Sequence, residues 1–167
     1  MTGQQQRAGV CWDREPDRGE NGVVNRHQSD GVAGEAPGPI LIIEDNPDVQ
    51  DLIATVLRQE GLQVEIAETG EEGVAMARQG RPALVVLDIG LPRMDGESVA
   101  RELHAVHDGV PILVVTADGH AAEHARNVRA FGYLSKPFDL DHLVEAVRQG
   151  LRRGRAIEDR MDETETQ

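Results

Sequence analysis

Five apolar runs of strand length punctuate the middle of the chain: Ile40–Ile43, Val64–Ala67, Leu84–Leu87, Ile112–Val115 and the shorter Tyr133–Leu134. Four are continuously or mostly apolar rather than strictly alternating, the pattern of strands buried on both faces of a parallel sheet. Helical spacing fills the gaps, over Pro47–Glu60, Glu71–Gln79, Glu97–His107, Ala121–Ala130 and Leu140–Arg152. Asn46 is placed to cap the first helix, with Pro47 at its first position and Gly61 closing it. Val49, Leu52, Ile53, Val56 and Leu57 are its expected core stripe; Leu140, Leu143, Val144, Val147 and Leu151 are that of the last helix, which starts near Asp139 or Asp141. Strands alternating with helices predict an α/β sandwich with helices on both faces of the sheet.

Residues 1–37 carry no such periodicity and read as a disordered extension ending at the stiff linker Ala36-Pro37-Gly38-Pro39. Residues 38–155 form the predicted domain, and residues 156–167 an acidic, disordered tail. The 167 residues carry 30 acidic and 17 basic side chains, a formal net charge of −13. That balance argues against general affinity for nucleic-acid backbone or anionic membrane. A lone cysteine, Cys11, allows no internal disulfide, and no apolar stretch approaches a membrane span. These features predict a soluble, cytoplasmic protein.

Candidate chemistry gathers at the ends of the apolar runs. An open parallel sheet binds ligands beyond the carboxyl ends of its strands, where strand order reverses. Glu44-Asp45 follows the first run, Asp88 the third, Thr116 the fourth and Lys136 the fifth. Three converging carboxylates repel one another and call for a hard cation, Mg²⁺. Lys136 is the only lysine among the 17 basic residues. A site that keeps lysine against such a bias needs a compact ammonium rather than a planar guanidinium. With metal and Lys136 neutralising phosphoryl oxygens, Asp88 becomes a nucleophile, and Thr116 supplies a hydroxyl donor beside the small Ala117.

Four motifs stand in order: Ile-Ile-Glu44-Asp45-Asn-Pro, Val-Val-Leu-Asp88-Ile-Gly-Leu-Pro-Arg-Met-Asp95-Gly96, Val-Val-Thr116-Ala117 and Tyr133-Leu-Ser-Lys136-Pro137-Phe138. With them the chain resembles a response-regulator receiver domain of two-component (histidine–aspartate phosphorelay) signalling over about residues 38–153. The resemblance implies a flavodoxin-like, doubly wound five-stranded parallel sheet of order 2-1-3-4-5 with five helices. It implies that Asp88 accepts a phosphoryl group from a histidine kinase or histidine phosphotransfer protein. It also implies Mg²⁺ held by Glu44, Asp45, Asp88 and the Gly90 backbone carbonyl, phosphoryl contacts from Thr116 and Lys136, Tyr133 as a switch aromatic, and a cis Lys136–Pro137 bond. Gly90 departs from the bulkier residue often found there, and the Ala-rich stretch from Thr116 to Lys136 is shorter than in many members. Gly90 and Asp118, each two residues past a site residue, are candidates for setting phosphoryl lifetime.

Other readings of the same residues are poorer. An aspartyl-phosphate phosphatase wants a second catalytic aspartate where this chain has Gly90, and a cap for which no residues are spare. The 12 residues after Arg155 are too few for a helix-turn-helix domain, so a stand-alone receiver acting on an unknown protein target is expected. His120 and His124 lack a third metal ligand and read as solvated.

Overall fold

The computed structural model describes residues 38–164, with side chains to residue 156; the extension over residues 1–37 lies outside the described residues. Ten elements alternate along it: β1 (Ile40–Ile43), α1 (Pro47–Gln59), β2 (Val64–Ala67), α2 (Gly70–Gln79), β3 (Leu84–Asp88), α3 (Gly96–Val106), β4 (Ile112–Thr116), α4 (Ala121–Asn127), β5 (Gly132–Ser135) and α5 (Leu140–Thr164). The strands form one sheet of order β2-β1-β3-β4-β5 with every pairing parallel. This is the flavodoxin-like order that the motifs imply. No helix of the described residues is long and apolar enough to cross a membrane.

Alternating side chains of each strand feed two cores. Leu41, Ile43, Val85, Leu87, Ile112 and Val114 pack with α2 and α3 on one face. Ile40, Ile42, Leu84, Val86, Leu113 and Val115 pack with α1 and α5 on the other. Both faces being covered explains why β1, β3 and β4 are buried at every position.

The helices begin where their caps allow. The Asn46 side chain accepts from the backbone N–H groups of Asp48 and Val49, as expected. The Asp95 carboxylate accepts from Ser98 N–H and Oγ at the start of α3, and Asp139 Oδ1 accepts from Asp141 N–H before α5.

Two sequence readings change in α1 and α5. In α1 the buried stripe is Gln50, Ile53, Ala54 and Leu57, whereas Leu52 is 46% exposed. The helix is rotated so that its small and amide-bearing positions, not Leu52, meet the sheet. The backbone of α5 stays helical to Thr164 rather than ending at Arg152 and giving way to an acidic tail at residue 156. Gly154 does not stop it, because a Cβ there would lie 3.1 Å from Pro111 and the glycine is a packing position. Beyond it Glu158, Arg160, Met161 and Glu163 are good helix formers with no Gly or Pro among them.

Candidate functional site

Register, not loop conformation, brings the first two acids together. Ile43 pairs with Leu87 across β1 and β3, so the residues that follow them, Glu44 and Asp88, emerge side by side. Thr116 pairs with Ser135 across β4 and β5, and the Lys136 N–H donates to the Thr116 carbonyl at 2.8 Å. The ladder thus delivers the lysine to the edge where Asp88 stands. The Lys136–Pro137 peptide is cis.

The ammonium of Lys136 donates to Glu44 Oε2 at 2.6 Å and to Asp88 Oδ2 at 3.0 Å. Glu44 and Asp88 are buried, at 2% and 7% exposure, and Asp45 is exposed. Carboxylate oxygens of these three acids lie within 4.8 Å of one another, the one such metal-competent group among the described residues. Hard oxygen donors at that spacing fit Mg²⁺, a small hard cation that binds oxygen ligands and keeps several waters.

The charges are unevenly tuned. Burial pushes the Glu44 carboxyl above its ordinary value, against the pull of the Lys136 ammonium, with the Asp88 charge adding to the rise. For Lys136 burial acts downward, but its hydrogen bonds to Glu44 and Asp88 outweigh it and hold the pKa above that of an ordinary lysine. The lysine therefore stays an ammonium and acts as the counter-charge to a crowded pair of acids.

Other polar groups hold this set in place. The Gly90 N–H donates to Asp88 Oδ1 at 2.8 Å. The Asn46 N–H donates to Glu44 Oε1 at 3.1 Å, and the buried Gln50 amide donates to the Glu44 carbonyl. Gly96 closes the loop after β3: a Cβ there would stand 2.6 Å from Ile89 Cα and 3.0 Å from the Asp88 carbonyl oxygen. Only glycine lets this segment fold back over the phosphoacceptor candidate. Every buried side-chain N or O among the described residues has a hydrogen-bond partner.

Of the remaining expected residues, Thr116 is 2% exposed at the end of β4 and its Oγ1 accepts from the Asp118 N–H at 3.1 Å. Tyr133 is half-buried on β5 and packs against the α2–α3 side of the core. A Cβ at Gly90 would lie 3.4 Å from Asp88 Oδ1, in ordinary contact, so this position has room for a side chain. Asp118 has both carboxylate oxygens engaged, by the His120 N–H at 2.6 Å and by His124 Nε2 at 3.2 Å.

Sequence reasoning missed Gln50 and His124. Gln50 left a faint signal, an amide on the i, i+3, i+4, i+7 stripe of α1 with Ile53, Ala54 and Leu57. His124 is not solvated: its side chain is 21% exposed and its ring lies between Glu97 and Asp118. His120, with its side chain 73% exposed, is solvated as read.

Known proteins resemble this chain in sequence and in fold. The chain is 38% identical over 119 residues to a response regulator, MprA, of Mycolicibacterium vanbaalenii, covering 70% of this chain and 52% of that protein. It spans about half the length of the curated relatives it matches. Among solved structures it resembles a CheY-like response regulator receiver domain protein from Methanospirillum hungatei, with a TM-score of 0.67 and 29% identity over 72% of this chain and 98% of that one. It also resembles the receiver domain of a Pseudomonas aeruginosa sensor histidine kinase, whose active site cleft coordinates a magnesium ion. That match has a TM-score of 0.63 and 32% identity, over 70% of this chain and 98% of the other. Residues 40–148 match the family model of the response regulator receiver domain. By that match, and by the five-stranded order that carries its acids and lysine to one edge, the chain belongs to the response regulator receiver family.

Proposed function

We propose that this domain is a phosphorylation-dependent signalling module that takes a phosphoryl group onto Asp88 from a histidine kinase or histidine phosphotransfer protein and acts through a protein target. The observation that carries the reading is Lys136 bridging Glu44 and Asp88, with Thr116 on the neighbouring strand. A carboxylate oxygen of Asp88 attacks phosphorus, the phosphorus–nitrogen bond of the donor phosphohistidine breaks, and its electron pair returns to the imidazole. The product is an acyl phosphate, which water later hydrolyses. Phosphoryl transfer is governed by positioning and charge stabilisation, and this chain supplies both.

The Gly90 N–H holds Asp88 in one orientation. Lys136 exchanges part of its contact with Asp88 for a phosphoryl oxygen, and Thr116 donates its hydroxyl hydrogen to another. Bound Mg²⁺, held by Glu44, Asp45, Asp88 and the Gly90 backbone carbonyl, would neutralise charge on the phosphoryl group. Movement of Lys136 and Thr116 toward the new anion reaches Tyr133, which shares β5 with the lysine's approach, and alters the surface offered to a partner. The domain performs no chemistry on other substrates beyond its own phosphorylation and dephosphorylation, and it works in the cytoplasm.

The test is labelling with a small phosphodonor and Mg²⁺. Wild type should gain one acid-stable, base-labile phosphoryl group and Asp88→Asn none; equal labelling of the two would sink the assignment.

A further inference from the structure

A chain of contacts leads from Thr116 away from the acidic edge. Its oxygen accepts from the Asp118 N–H at 3.1 Å. The Asp118 carboxylate lies 3.2 Å from His124 Nε2, and Glu97 Oε1 lies 3.3 Å from His124 Nδ1. The Asn127 amide donates to the same Glu97 oxygen at 3.0 Å. The path joins the loop after β4, the body of α4 and the first turn of α3. A neutral imidazole has one N–H donor and one acceptor nitrogen. Here both ring nitrogens face carboxylate oxygens, so a neutral ring sets a lone pair against an anion on one side. Only the imidazolium donates to both.

We propose that His124 is a positioning residue whose doubly protonated ring latches the β4–α4 loop to α3 and so fixes the Thr116 hydroxyl for contact with the phosphoryl group. This rests on the reading of Asp88 and Thr116 given above. Because the Thr116 oxygen takes the Asp118 N–H, its own hydroxyl hydrogen remains free to donate. With the latch open the loop no longer holds that geometry, and the hydroxyl samples other rotamers.

The surroundings favour the charged ring. Asp118 faces it from the loop and Glu97 from α3. His120 is turned to Glu123 at 3.9 Å. Arg101, His104 and Arg129 line the same α3–α4 groove farther along, and His104 is engaged with the Val128 carbonyl at 3.0 Å. Burial acts to lower the His124 pKa, but hydrogen bonds to Asp118 and Glu97 outweigh it, and the value is raised above 6.5. The latch is thus fully present below the unfolded-state value and is lost as pH rises through the higher folded-state one.

The experiment follows Asp88 labelling by acetyl phosphate in Mg²⁺ from about pH 6 to pH 8.5 in the full chain, comparing wild type with His124→Gln. Glutamine keeps one donor and one acceptor but no charge. The rate ratio of wild type to His124→Gln should be roughly three-fold or more at the acid end, the scale of one lost positioning contact, and should approach one at the alkaline end. A ratio that does not change with pH overturns the latch. Absence of labelling in wild type instead overturns the assignment of Asp88, and the latch is then judged by NMR titration of the His124 ring. A midpoint above 6.5 that falls in Asp118→Asn supports it, and one that Asp118→Asn leaves unmoved overturns it.

Discussion

Replacing Lys136 with Met removes the one cation that touches both buried acids while keeping most of the side-chain volume. Glu44 and Asp88 then stand together with no counter-charge, at 2% and 7% exposure. Breaking a buried ion pair by removing one partner costs about 3–5 kcal/mol, because the remaining charge is left desolvated. Here the cost belongs at the low end, about 3 kcal/mol, since the lysine is itself 19% exposed and burial favours the neutral form of Glu44. In urea, with a slope of about 1–3 kcal/mol per molar, that loss lowers the midpoint by about 1 M or more. The assay is equilibrium urea unfolding at neutral pH in EDTA. The deficit should shrink as pH falls, because Glu44, already raised by burial and now without its lysine, takes up a proton more readily than an ordinary glutamate. Added Mg²⁺ should also narrow the gap, by binding the folded state alone. A Lys136→Met protein as stable as wild type in EDTA at neutral pH would refute the argument that the lysine neutralises the cluster.

Three further outcomes follow from the same geometry. Asp45 is exposed beside two buried acids, so Asp45→Ala should abolish Mg²⁺-dependent phosphorylation while unfolding no lower than wild type in EDTA by calorimetry; a strongly lowered midpoint would make Asp45 structural. Lys136→Arg, which cannot place a point charge between Glu44 and Asp88, should lose the NMR shifts near Tyr133 and Thr116 that accompany phosphorylation, and identical shifts in both proteins would count against a need for lysine. Gly90→Met and Asp118→Ala should each slow loss of label from purified phosphoprotein several-fold, the scale of one positioned contact of about 1 kcal/mol. Unchanged decay in both would remove these positions from control of the attacking water.

Strand positions were legible because each buried strand had to be apolar on both faces. The runs Ile40–Ile43 and Val64–Ala67 match β1 and β2 residue for residue. The misses fall where a polar residue still takes part in the ladder: β3 and β4 each run one residue longer, through Asp88 and Thr116. The Ala-rich α4 is shorter than its pattern, ending at Asn127, because few large side chains anchor it. The last helix runs past the expected Arg152, and Gly150 inside it is a packing position, since a Cβ there would stand 2.3 Å from Leu84 and 2.4 Å from Phe131. Glu44, Asp45, Asp88, Thr116 and Lys136 could be placed at one edge because strand ends share a side in a parallel sheet. Gln50 and His124 escaped because their partners come from tertiary structure: Gln50 meets a backbone carbonyl, and Glu97 lies 27 residues from His124.

The bond from Lys136 to Glu44 spans 92 residues, and that from Lys136 to Asp88 spans 48. Contacts so distant in sequence form only after the intervening loops have closed, which carries an entropic cost met by the completed sheet. A chain still emerging from the ribosome carries Glu44 and Asp45 just after β1 and Asp88 at the end of β3, well before β5 and the lysine that follows it. Such an unfinished chain holds those anions without the Lys136 counter-charge. On the proposed function, phosphoryl acceptance depends on the completed sheet, because the last strand alone delivers the ammonium that the transfer calls for.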